Sequence, residues 1–152
     1  MSIVKNKKGD IFLDLIRDEE ANILGNEKYQ PLTHSLVIVK CKGKYLLVFD
    51  NWKKHWEVPG GGIEEKETPR ECAIREVYEE TNLKIDDLNF IGIMKFSLQP
   101  DQRIEYGALY AGEIRALNEF AETDEIKRII LWDLKEDIGY VDEIDKKLLE
   151  YH

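Results

Sequence analysis

The residues best placed to do chemistry are three glutamates, Glu76, Glu79 and Glu80, within the run Arg75-Glu76-Val77-Tyr78-Glu79-Glu80. At about 100° per residue on a helix, all three fall within roughly a third of the circumference. Like charges so close repel, each pair costing about 0.2–0.5 kcal/mol in an isolated helix. Glu71–Arg75 and Arg75–Glu79 pairs offset part of that cost, so a solvated acidic face is one reading of the pattern. The other is a site for a hard divalent cation, since clustered carboxylate oxygens are what Mg²⁺ or Mn²⁺ takes. Such an ion neutralises phosphate oxygens and lowers the pKa of bound water, so the chemistry in view is attack of water on phosphorus.

A helix is needed to hold three carboxylates at fixed separation, and its start is legible. Thr68 with Glu71 makes a capping-box pattern, and Pro69 stands at the first helical position, where its missing N–H costs nothing. The pattern runs to Thr81, with Asn82 where a left-handed C-terminal residue is usual. Ala73, Ile74, Val77 and Tyr78 occupy the arc expected to face a sheet. Upstream, Leu36–Val39 and Tyr45–Phe49 are β-rich runs joined at Lys42-Gly43-Lys44, a hairpin. Downstream, Phe90–Phe96, Tyr106–Ile114 and Ile126–Trp132 read as strands. Val141–Tyr151 reads as a closing helix that buries Val141, Ile144, Leu148 and Leu149. The short run Ile11–Ile16 is equally a strand or a helix. Strands outnumber helices and do not alternate with them, which is an α+β pattern with a mixed sheet.

The 152 residues suit one domain, read as a core over about 34–152 preceded by an N-terminal extension, residues 1–33, of undecided structure. A formal charge of −9 opposes binding to duplex nucleic acid, and no basic stripe corrects it. It does not oppose a small phosphorylated ligand bridged by divalent cations. No apolar run reaches the roughly 18 residues that span a bilayer, and the first ten residues lack the apolar segment of a secretory signal. Two cysteines, Cys41 and Cys72, in no metal-like spacing, fit a reduced cytoplasmic compartment. Oligomeric state is not legible.

Around the glutamates the spacing is Gly61, five residues, Glu67, seven residues, then Arg75-Glu76-Val77-Tyr78-Glu79-Glu80-Thr81-Asn82-Leu83. This resembles the Nudix box, G-x5-E-x7-R-E-U-x-E-E-x-G-U with U apolar, at every specified place but one. Asn82 stands where the family has Gly, and Asn also tolerates the left-handed backbone. A chance match has a probability on the order of 10⁻⁷ to 10⁻⁸ per start point, so the spacing outweighs the solvated-face reading. The lead-in Trp56-Glu57-Val58-Pro59-Gly60-Gly61 is similar to the family's own. The likeness extends more weakly from about Leu36 to the C-terminal helix.

The resemblance implies an α/β/α sandwich with a loop–helix–loop catalytic motif. It also implies hydrolysis of a nucleoside diphosphate linked to another group, with Mg²⁺ or Mn²⁺. On this chain it makes Glu76, Glu79 and Glu80 metal ligands, with the Gly61 carbonyl a further one. Arg75 becomes the partner of Glu67, bracing loop against helix, and a box glutamate, Glu79 or Glu76 among them, the base on water. Trp52, Lys53 and Trp56, just before the box, are candidate substrate contacts. Phe49 and Asp50 stand where family members often carry a basic residue, which weakens phosphate contact from that strand. Glu119, Glu122 and Glu125 lie in the loop where relatives often place another acid near the metal. Substrates left open are a nucleoside triphosphate, oxidised or not, and an ADP-ribose-like molecule; Pro100 is similar to a proline of ADP-ribose-type members. Two further readings are a silent nucleotide- or ADP-ribose-binding module and a protein-interaction domain with an exposed acidic helix. The intact trio disfavours the first of these, and Glu67 and Arg75 around a glycine turn disfavour the second.

Overall fold

Alternation of side chains along the central strands sets the layers. In the computed structural model, which describes residues 4–152 apart from the Lys127 side chain, Val37 and Val39 share one apolar cluster while Ile38 lies in the other. The same alternation separates Leu46 from Tyr45 and Leu47, and Ala108 and Tyr110 from Leu109 and Ala111, as the two-residue period of a strand requires. A sheet buried on both faces results, with one helix over each cluster. Residues 1–3 of the N-terminal reading lie outside the described residues.

The strands are β1 (Val4–Lys5), β2 (Ile11–Ile16), β3 (Leu32–Cys41), β4 (Lys44–Asp50), β5 (His55–Glu57), β6 (Gly60–Gly62), β7 (Asn89–Leu98), β8 (Arg103–Glu113) and β9 (Ile126–Trp132). The helices are α1 (Pro69–Thr81) and α2 (Glu143–Leu148), the latter continued by a 3₁₀ turn over Leu149–Tyr151. Sheet order is β1-β2-β7-β8-β3-β4-β5, with β6 also on β3 and β9 also on β4. β3 runs parallel to β8 and antiparallel to its other neighbours, so the sheet is mixed as expected. The hairpin turn is Lys42-Gly43, both at positive φ, as a two-residue turn demands, and Lys44 already opens β4.

Two sequence expectations needed structure to resolve them. The ambiguous Ile11–Ile16 is a strand: β2 pairs with β7, and Phe12 is fully buried against Phe96 and Tyr151. The N-terminal residues are therefore built into the sheet. Tyr78, expected to face the sheet, is instead 53% exposed, while Ala73 and Val77, with the partly buried Ile74, pack against the sheet cluster. No helix among the described residues is long and apolar enough to cross a membrane.

Candidate active site

Helix α1 starts where the sequence placed it. Thr68 Oγ1 accepts from the Glu71 N–H at 3.1 Å and Glu71 Oε1 accepts from the Thr68 N–H at 2.9 Å. Asn82 ends it with φ 62° and ψ 23°, the left-handed conformation anticipated for the residue replacing glycine. Ser35 on β3 donates its hydroxyl to the Pro69 carbonyl at 2.8 Å, tying the helix start to the sheet.

Arg75 organises the loop before the helix. Its Nε donates to Glu67 Oε2 at 2.6 Å and its Nη2 to Glu67 Oε1 at 2.9 Å, the bidentate geometry that suits guanidinium and carboxylate. Nη2 also donates to the Gly62 carbonyl at 3.0 Å, while Nη1 donates to Glu76 Oε1 at 2.8 Å and Glu79 Oε1 at 2.7 Å. Glu67 in turn accepts from the Glu64 N–H at 3.0 Å. The expected Arg75–Glu67 pair is present, and the same guanidinium reaches two of the three glutamates, Glu76 and Glu79. The Arg75 bonds hold the Glu67 carboxyl down to about 2, below its ordinary 4.5.

Glu80 sits apart from this arginine. It is buried and accepts from the Gly60 N–H at 2.9 Å. Burial, with the nearby charges of Glu76, Glu57 and Glu125, pushes its carboxyl up to about 9. Burial also raises Glu76, with Glu79 and Glu125 adding to the effect. Gly61 faces Glu76 so closely that a Cβ there would lie 2.3 Å from Glu76 Oε2, so a side chain at this position would push the Glu76 carboxylate aside. Cys72 Sγ lies 3.5 Å and 3.4 Å from the carbonyls of Gly61 and Gly62, which gives this buried thiol a place holding the glycine strand.

The residues fit a hard cation by donor chemistry: all are oxygen donors, they are crowded, and burial raises two of them, Glu76 and Glu80. Among the described residues, no three acidic, histidine or cysteine side chains form a preformed metal set, since Glu76 and Glu79 are turned to Arg75.

The three candidate substrate contacts divide. Trp52 is 70% exposed and free to present its ring. Lys53 is within 3.3 Å of Glu57 Oε2 and 3.9 Å of Asp50 Oδ2. Trp56 is buried at 3% exposure, donates its indole N–H to the Ile138 carbonyl at 2.6 Å and packs edge-on against Phe49; it belongs to the core. Asp50, which stands where a basic residue was expected, accepts from the N–H groups of Trp52 and Lys53 and so fixes that turn. Pro100 lies in the β7–β8 turn.

Sequence reading missed several groups around the site. Glu57, noted only as part of the lead-in, is close enough to Glu80 to raise it. Asp145 on α2 accepts from the Val58 N–H at 3.0 Å, bracing the strand that enters the glycine turn. His34 on β3 packs at 5.2 Å from the Phe96 ring, and burial pushes it down to about 4. None of these stands in a spacing motif. Of the three loop acids, Glu125 acts by its charge on Glu76 and Glu80. Glu119 contributes its carbonyl, which accepts from Asn82 Nδ2 at 3.1 Å.

The sequence profile of the NUDIX domain matches residues 30–151. The chain belongs to the Nudix family. A putative 8-oxo-dGTP diphosphatase, YtkD, of Bacillus subtilis is 30% identical over 99 residues, 65% of this chain and 61% of that protein. An RNA pyrophosphohydrolase of Cereibacter sphaeroides is 47% identical over 72 residues, 44% of this chain and 42% of its own length. The aligned part thus spans between about two fifths and three fifths of these curated relatives. Among solved structures, a mutant of the Bacillus subtilis pyrophosphohydrolase BsRppH superposes with a TM-score of 0.73 at 24% identity, covering 99% of this chain and 93% of that one. The Nudix domain of Shewanella oneidensis NrtR, complexed with ADP ribose, gives 0.67 at 17% identity, covering 88% and 96%. These likenesses establish the Nudix fold, and Nudix enzymes generally use a divalent metal.

Acid should expose the Arg75–Glu67 pair. A carboxyl lowered in the folded state adds stability that is present above about pH 4.5 and lost as pH falls toward 2. Thermal melts of the parent should fall through that window, and melts of Arg75→Ala should fall less steeply. Parallel slopes would remove the pair from the account.

Proposed function

We propose that the chain is a metal-dependent pyrophosphohydrolase, working as one Nudix domain on a nucleoside diphosphate linked to another group. The observation that carries the reading is Glu80: a buried carboxylate next to Glu76, bonded to one backbone N–H and to no cation among the described residues. Burying uncompensated acid is costly, and a divalent ion removes the cost. Glu76, Glu79, Glu80 and the Gly61 carbonyl would hold Mg²⁺ or Mn²⁺. When bound, the ion neutralises phosphate charge and acidifies water.

The chain's own residues do the rest. Arg75 and Glu67 fix the glycine strand against the helix, so carboxylates and backbone are positioned before substrate arrives. A box glutamate, Glu79 or Glu76, takes the proton of the attacking water as general base. Trp52 and Lys53 stand at the approach, where ring and ammonium suit a base and a phosphate. The substrate is a small nucleotide, a nucleoside triphosphate or an ADP-ribose-like molecule, handled in the cytoplasm. That Glu76 and Glu79 are both engaged by Arg75 favours a second reading, a module that binds nucleotide without cutting it.

A panel of nucleoside triphosphates, 8-oxo-dGTP, ADP-ribose and a 5′-triphosphorylated dinucleotide, read by phosphate, pyrophosphate or nucleoside-monophosphate release, separates the two. Hydrolysis with Mg²⁺ or Mn²⁺ that stops on exhaustive chelation is expected. Binding without turnover under every metal condition would leave the silent module, and turnover that survives chelation would end the metal reading.

A further inference from the structure

We propose that the groove between the β1–β2 turn and the loop ahead of β5 is a second phosphate subsite, for the part of the substrate beyond the anhydride being cut. The proposal rests on the hydrolase reading above and deepens it by naming the substrate class: molecules that carry phosphate past their first nucleoside. In a chain of formal charge −9, Lys7, Lys8, Lys53, Lys54 and His55 line one cavity of about 570 Å³ together with Tyr140. Two segments 46 residues apart are brought together there, with Lys7 and Lys8 from the turn and Lys53 and Lys54 from the loop (53 − 7 = 46).

Part of this charge is unspent, His55 Nε2 lying 3.4 Å from Glu57 Oε2. Lys53 is shared with Glu57 and Asp50, but among the described residues neither Lys7, Lys8 nor Lys54 lies within ion-pair distance of a carboxylate. The Lys54 ammonium donates to the neutral Asn51 side chain, and Lys7 Nζ stands 4.9 Å above the Tyr140 ring, with Glu143 accepting from the Lys7 N–H at 3.1 Å and close enough to act on its charge. The two acids of the wall are already committed: Asp10 accepts from the Gln99 N–H at 2.8 Å, and Asp142 accepts from Asn6 Nδ2 at 3.2 Å and from the Ile144 N–H at 2.9 Å. Lys8 and Lys54, in no ion pair among the described residues, are the charges left to attract an anion.

The turn that carries the lysines is fixed. Asn6 N–H donates to the Asp10 carbonyl at 2.9 Å, Gly9 N–H to the Asn6 carbonyl at 3.0 Å, and Asp10 N–H to the Asn6 side chain at 2.9 Å. Gly9 supplies the positive φ of 98° that the turn needs. The groove also connects with the acidic site. Lys53 lies 3.3 Å from Glu57, and three residues on the Gly60 N–H donates to Glu80 at 2.9 Å. A ligand whose anhydride lies at the box can thus continue past Lys53 toward Lys7 and Lys8. The matched family profile begins at residue 30, so the β1–β2 turn lies outside it.

The test compares the parent with a Lys7→Ala/Lys8→Ala variant on a nucleoside triphosphate, a 5′-triphosphorylated dinucleotide and a dinucleoside tetraphosphate. A Lys84→Ala/Lys135→Ala variant carries the same charge change on other faces. The ratio of kcat/KM for the dinucleotide to that for the mononucleotide should fall about tenfold in the first variant, the size of a lost charge-assisted contact, and hold in the second. A fall confined to the dinucleoside tetraphosphate assigns the groove to a polyphosphate chain instead of a phosphodiester, within the same proposal. Titration with the 5′-monophosphorylated dinucleotide, without metal, supplies a readout independent of turnover. Its affinity should weaken with salt, with a slope of log K on log salt smaller by about 1 in the lysine variant. Equal ratios and equal slopes in parent and variant would overturn the subsite, even if hydrolysis itself is intact. Absence of all hydrolysis with the slope difference retained would instead count against the hydrolase reading alone.

Discussion

Replacing Glu80 by Gln is expected to stabilise the metal-free protein and to abolish most turnover. Glu80 is buried, and its carboxyl is pushed up to about 9 by that burial and by neighbouring acids. A carboxyl raised in the folded state adds stability that is full below its unfolded value near 4.5 and is lost as pH rises toward 9. Metal-free parent protein should therefore become less stable across that window. Gln keeps the volume and cannot ionise, although its amide must share the position where Glu80 accepts from Gly60. The expected gain at pH 8 is on the order of 1–3 kcal/mol, with a flatter pH profile. Turnover should fall by ~10²–10⁴, the range seen when a group acting in the transition state is lost. Glu79→Gln should lose turnover similarly without the gain, because Glu79 is half exposed and its charge answers Arg75 at 2.7 Å. Glu65→Gln, outside the helix, is the control. Measured melts and initial rates on the three variants decide it: turnover above a tenth of the parent in both box variants would remove these two glutamates from the catalytic step.

The contrast between Glu79 and Glu80 shows what the sequence could and could not supply. Spacing alone placed both on one face of a capped helix, because capping and periodicity are local and Thr68, Pro69 and Asn82 are near in sequence. It could not say that one carboxylate is paired and the other buried, since that depends on Gly60 and on the acids Glu57 and Glu125 brought from distant segments. The same limit explains the substrate contacts. Trp52 and Trp56 are alike in type and only four positions apart, yet one is exposed and the other fills the core under Ile138, a difference set by β5 pairing with β4. The strand character of Ile11–Ile16 was likewise invisible until its partner β7 was known. Where a rule is local, as at the hairpin and the helix start, the reading needed no partner.

Arg75→Ala is expected to cost more than any other single change in the box. The guanidinium spends its donors on Glu67, Glu76, Glu79 and the Gly62 carbonyl, and stands 3.1 Å from Glu64. Removing it leaves Glu67, 13% exposed, without its cation and four carboxylates repelling around the glycine strand. Breaking a partly buried pair from one side costs about 2–4 kcal/mol, which for a chain of this length is a fall in Tm of roughly 5–12 °C. Lysine should not restore it, since a single ammonium cannot make the two parallel bonds to Glu67. Turnover should fall with stability, because the Gly62 carbonyl and the Glu76 and Glu79 side chains lose their common anchor. Glu67→Gln separates the contributions. If the pair is the main link, Arg75→Ala in that background should cost well under half of what it costs in the parent, a coupling above about 1 kcal/mol in the double-mutant cycle. An additive cycle would show instead that Arg75 acts through Glu76 and Glu79, with the loop held by the Cys72 contacts and the β3–β6 pairing.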